Sequence, residues 1–121
     1  MLSVLAIMLF SQQPLLPVVD GVASYYTVAS SSTLTASGEE MVDEALTCAM
    51  RTGVFGGYYR VTDKESGRSV VVRLNDRGPY IEGRHIDLSE AAMAALEPTL
   101  TKGLLDVHIE RIVESDYPPL F

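Results

Sequence analysis

The chain has 121 residues, a length that suits one domain with one core. Apolar residues make up 47%, which excludes a disordered composition, and a formal charge of −7 argues against a nucleic-acid partner, since phosphate binding needs a Lys/Arg surface. Cys48 is the only cysteine, so no intramolecular disulfide forms; with two distant histidines, His85 and His108, it makes no zinc set, and neither a metal nor a cofactor is expected.

In chain order, residues 1–10 (MLSVLAIMLF) are apolar and uncharged. They resemble the hydrophobic part of a secretory signal but lack a basic n-region and an A-x-A site before Asp20. The run is shorter than the roughly 20 residues that span a bilayer. Residues 1–20 are therefore read as a signal or anchor plus a linker holding Pro14 and Pro17, or as an arm making membrane or protein contact. The domain is expected to start near Gly21. VASYYTV (22–28) reads as a strand. Residues 30–40 form a polar loop with Gly38 at its turn, and MVDEALTCAM (41–50) reads as a helical turn followed by a strand. GYYRVTD (57–63) and RSVVVRL (68–74) are strands joined by KESG, a tight-turn composition. LSEAAMAALE (88–97) is the one clear helix, with Ser89 as cap, Glu90 in its first turn and Pro98 as stop. LLDVHIERIV (104–113) alternates as a last strand, with Leu105, Val107, Ile109 and, less strictly, Arg111 on one face. Residues 114–121 are a loop-like tail. Short strands at this spacing with one late helix predict an all-β small barrel over residues 21–113.

The residues that carry chemistry cluster around NDRGP. Asp76 sits where a strand hands over to a loop, between Asn75 and Arg77. A half-buried carboxyl group there can act as an acid, its pKa raised by desolvation or lowered by a contact with Arg77. The plainer reading is a turn residue. Glu39, after TASG, can face Asp76 as a second carboxylate or belong to a solvated acidic loop. Tyr25 and Tyr26 alternate across a strand, so one of them can face a cleft and stack on a sugar while the other joins the core. No Ser-His-Asp triad, GxSxG, P-loop or dinucleotide fingerprint occurs.

Taken together, GVASYYT (21–27), TASGEE (35–40), ALTCAMRT (45–52), FGGYYRVTD (55–63), GRSVVVRLNDRGPY (67–80) and GRHIDLSEAAMAAL (83–96) resemble the RlpA-like (rare lipoprotein A) family. The resemblance spans residues 21–113. It implies an all-β fold with one short helix, a six-stranded double-psi β-barrel. It also implies a peptidoglycan lytic transglycosylase in the periplasm, in the cell envelope or outside the cell. Such an enzyme cleaves the MurNAc–GlcNAc bond of glycan strands and leaves a 1,6-anhydro-MurNAc end. The family's catalytic aspartate falls on Asp76 and its loop glutamate on Glu39. Tyr25, Tyr26, Thr35, Met50, Asn75 and Arg77 are the expected substrate-binding positions. The sequence departs from the family at Met50, which stands where the family has a histidine, and at His85, where an aliphatic residue is usual. Methionine cannot shuttle a proton. Two further readings stay open beside the enzyme: a barrel that binds glycan without cutting it, and a phage virion or assembly protein. The resemblance predicts that Asp76 and Glu39 line one groove with Met50 between or beside them.

Overall fold

A computed structural model describes residues 18–31 and 33–113. The expectations for residues 1–17 and for the tail from 114 lie outside the described residues. Six strands are present: β1 (Val18–Tyr26), β2 (Thr47–Ala49), β3 (Tyr58–Asp63), β4 (Ser69–Asp76), β5 (Ile86–Ser89) and β6 (Leu105–Ile112). They close into a barrel in the order β1-β5-β2-β4-β3-β6. Two pairings are parallel, β1 with β5 and β2 with β4; the remaining neighbours are antiparallel. This is the double-psi β-barrel.

Closure gives every strand a neighbour on both sides, and it gives each strand an inward row of apolar side chains. Ala23, Cys48, Val61, Val72, Leu74, Ile86, Leu88 and Val107 are all fully buried. Helix α1 (Glu90–Leu96) lies against β4, β5 and β1 and covers the core with Ala92, Met93 and Leu96. Ser89 caps it as expected, its hydroxyl accepting the Ala92 N–H while donating to the Ala45 carbonyl at 2.6 Å.

Several boundaries differ from the sequence expectations. β1 begins upstream of Gly21, because Val18–Gly21 pair with β6. It ends at Tyr26, because Thr27 caps a 3-10 turn, Val28–Ser30, through a reciprocal capping box with Ser30. The helical turn expected within 41–50 is absent. There Ala45 N–H closes a simple turn onto Val42, and Asp43 is engaged elsewhere: its carboxylate accepts the Val28 N–H at 2.8 Å and its carbonyl the Ala91 N–H at 3.0 Å. Strand β5, Ile86–Ser89, was not separated from the helix by sequence pattern. It runs into α1 without an intervening residue.

Candidate active site

The end of β4 is shaped by an irregularity in its pairing with β2. Thr47 and Cys48 face Arg73 and Leu74, but Ala49 faces Asp76, so the register skips Asn75. A bulge of this kind re-aims the side chains that follow it. Here it brings Asp76 into line with Ala49, Ala49 with Asp87 on β5, and Asp87 with Ser24 on β1. Asp76, Ala49, Asp87 and Ser24 thus form one row across four adjacent strands.

Beside this row runs a groove of about 290 Å³. Asp76 and Asp87 line it, together with Tyr25, Tyr26, Tyr80 and Arg84. Asp76 Oδ1 accepts two backbone N–H groups, from Ala36 and from Arg77, each at 2.8 Å. That leaves Oδ2 as the oxygen able to meet a ligand. The guanidinium of Arg77 is turned away from Asp76. Its Nη2 donates to the Gly53 carbonyl at 2.7 Å, its Nη1 to the Met50 carbonyl at 3.4 Å, and it stacks over Phe55 at 4.1 Å. Arg77 therefore ties the 50–55 loop to the end of β4.

Asp87 is half-buried. Burial pushes its carboxyl pKa up, the Ser24 hydroxyl (3.2 Å) and the charge of Arg84 pull it down, and Asp76 pushes it up further; the net direction is upward. Sequence reasoning did not single out Asp87, because IDLS reads as a run into a helix. Tyr26 is buried with its phenol bonded to Thr47 Oγ1 at 2.9 Å, and desolvation pushes it up to about 12. Tyr25 is the more accessible of the pair. Tyr80, 75% exposed, adds an aromatic wall. The signal that marks it is an aromatic residue directly after Gly78-Pro79.

Glu39 lies in a small hairpin, residues 33–41, closed by Thr35 and Glu39 and turned at Gly38, whose φ of +93° favours glycine. Its carboxylate makes a bidentate pair with Arg73, 2.7 Å on each arm, and accepts Asn75 Nδ2 at 3.3 Å. The Arg73 guanidinium holds it below the usual carboxylate range. Glu39 does not line the Asp76 groove. It anchors the hairpin whose Ala36 N–H holds Asp76. Thr35 is buried, with its hydroxyl between Ser37 Oγ (2.8 Å) and the Glu39 carbonyl (3.0 Å). Asn75 is buried as well, and its Oδ1 has no partner among the described residues. Met50 lines a separate cavity of about 480 Å³ with Val19, Tyr59, His85 and Ile109. Met50 follows the last residue of β2 and packs, partly buried, against the core. His85 borders that same cavity, with Nδ1 accepting the Val22 N–H at 2.9 Å. The structure therefore brings Asp76, Arg77, Tyr25 and Tyr26 to one groove and puts Glu39, Thr35 and Asn75 behind it; the Met50 side chain lines the other cavity, while its backbone N–H donates to the Asp76 carbonyl at 3.2 Å.

The model of a family described as "Lytic transglycolase" matches residues 18–109. A Treponema pallidum (strain Nichols) protein named "Probable endolytic peptidoglycan transglycosylase RlpA" is 44% identical over 92 residues, covering 76% of this chain and 29% of that protein. The chain spans between 24% and 29% of the length of such curated relatives. Among solved structures, the Streptomyces papain inhibitor is similar with a TM-score of 0.67 at 24% identity, over 83% of this chain and 98% of the inhibitor. A point mutant of Clavibacter michiganensis expansin in complex with cellohexaose gives 0.63 at 21% identity, over 87% and 53%. These two likenesses are of fold.

Proposed function

Because the chain belongs to the lytic transglycolase family, we propose that it is an endolytic peptidoglycan lytic transglycosylase with Asp76 as its catalytic carboxyl group. The observation that carries this reading is the setting of Asp76. Two backbone N–H groups fix Oδ1, the neighbouring guanidinium is bonded to the 50–55 loop, and Asp76 borders a groove with aromatic walls. Sugar rings stack on such walls, Tyr25 and Tyr80 here. The reaction breaks the C1–O4 bond between MurNAc and GlcNAc. The departing O4 takes a proton, the MurNAc 6-hydroxyl oxygen bonds to C1, and its own proton passes to a base. A single carboxyl group can serve both transfers in turn. The substrate is the glycan strand of peptidoglycan, which puts the site of action in the cell envelope. Glu39, Thr35 and Asn75 position Asp76 through the 33–41 hairpin, and Arg77 does so through the 50–55 loop.

The test is mass spectrometry of denuded glycan strands incubated with the full chain and with Asp76→Asn. The expected outcome is 1,6-anhydro-MurNAc ends from the wild type and a loss of about 10²–10⁴-fold in the variant. Reducing ends would replace the transglycosylase by a hydrolase. One observation favours a second reading, a barrel that binds glycan without cutting it: no histidine lines the Asp76 groove among the described residues. Intact strands retained by the immobilised protein would favour that reading.

A further inference from the structure

The groove holds a second carboxyl group that the one-carboxylate scheme does not use. We propose that Asp87 is the general acid of the reaction and Asp76 its base, so that the two proton transfers are divided between the two ends of one row. This rests on the lyase reading above.

The geometry has three parts. First, Asp76 and Asp87 both line the groove and face the same residue, Ala49, from opposite sides in the strand register. They are two strand spacings apart, about 9.6 Å between backbones. In this reaction the MurNAc 6-hydroxyl reaches C1 from the same face that O4 leaves, a face that two carboxyl groups of one row can serve together. Second, the two groups differ in their partners. Asp76 receives two backbone N–H donors. Asp87 receives one hydroxyl donor, from Ser24 at 3.2 Å. Third, the surroundings of Asp87 favour its neutral form. It bonds Ser24 on β1, and within electrostatic reach lie Tyr26 on β1, Cys48 on β2, Asp76 on β4 and Arg84 on its own approach loop, of which only Arg84 is cationic. A carboxyl group whose setting favours the neutral form suits the acid role.

The step balances. Asp87 gives its proton to O4 of the departing GlcNAc as the C1–O4 bond breaks. The MurNAc O6 forms the new bond to C1, and the O6 proton goes to the Asp76 carboxylate. Asp87 ends ionised and Asp76 protonated, and one proton returned from Asp76 to Asp87 restores the start. No water is consumed.

The experiment compares wild type, Asp87→Asn and Asp76→Asn on two substrates. One is denuded strands; the other is a MurNAc aryl glycoside whose nitrophenolate departs without protonation. For Asp87→Asn the expected result is a loss of about 10²–10⁴-fold on strands, near-wild-type release of nitrophenolate, and disappearance of the alkaline limb of the pH–rate profile. Asp76→Asn should be slow on both. Asparagine keeps the size of the side chain, and thermal melting checks that each variant is folded. Asp87→Asn cutting strands as fast as wild type overturns the assignment. So does an equal loss on both substrates, which is the mark of a purely structural role. A wild type that leaves strands uncut removes the lyase reading itself, and this inference with it.

Discussion

If Glu39 works by clamping the 33–41 hairpin, then breaking its pair from the other side should do the same damage. Arg73→Met removes the guanidinium while leaving Glu39 in place. The size of the effect follows from the setting of the pair. The Arg73 and Glu39 side chains are 32% and 42% exposed. Fully exposed pairs contribute about 0.2–1 kcal/mol, and breaking a buried pair costs about 3–5 kcal/mol. With solvent screening on one side and bidentate geometry on the other, a coupling of about 1 kcal/mol is expected. Glu39→Ala also leaves buried Asn75 Nδ2 without an acceptor, beside an Oδ1 that already has none. That adds about 1 kcal/mol. Glu39→Ala should then lower Tm by about 10 °C in a domain of this size. Glu39→Gln, which keeps an oxygen for Asn75, should lower it by less.

The assay is a double-mutant cycle of Glu39→Gln and Arg73→Met, read by urea unfolding and by strand cutting. A clamp predicts that Arg73→Met slows cutting as much as Glu39→Gln, with the double variant no slower than either. Glu39 is held below the ordinary carboxylate range by Arg73, so its stabilising contribution is present above its unfolded value of about 4.3. That contribution fades as pH falls through the folded value, and Arg73→Met should remove the fade. A coupling below about 0.3 kcal/mol, within the scatter of independent sites, refutes the clamp. So does Arg73→Met that leaves cutting intact while Glu39→Gln abolishes it, for then Glu39 acts on the substrate directly.

Asp87, its carboxyl pushed upward by burial, costs stability once pH rises above its unfolded value of about 3.9. Asp87→Asn should therefore melt higher than wild type at pH 7 and equally at pH 3; equal melting at both would contradict the burial described. Cys48 is fully buried and its thiol is pushed up by desolvation, so a thiol reagent at pH 8 should modify it at the rate of unfolding and not before. Gly53 has φ +108°, and a Cβ there would lie 2.8 Å from both Leu74 Cδ2 and the Tyr59 hydroxyl. Gly53→Ala should destabilise by about 1–3 kcal/mol in urea titration, and it should also loosen the carbonyl that receives Arg77.

The strands with long local patterns were legible in the sequence: SVVVRL, YYRV and LDVHIERI lie in β4, β3 and β6 with small shifts at their ends. β5 was not, because four residues that enter a helix without a break carry no local signal, and their partners are Ala23–Tyr26 and Cys48–Ala49, far away in sequence. The candidate site divides along the same line. Asp76 announces itself by residue type and by its place after a β-branched run, but a strand read alone cannot reveal that the register skips Asn75 on the partner side. That skip decides which face Asp76 shares, and with whom. It sets Asp76 in a row with Asp87, while Met50, just past the end of β2, lines a cavity with Tyr59 and His85. A methionine at a position on that side removes no group from the Asp76 row. The Met50 backbone N–H donates to the Asp76 carbonyl at 3.2 Å, so a histidine at residue 50 would start beside the end of β4. The two aspartates already border the groove, so the proposed proton transfers need no group from residue 50.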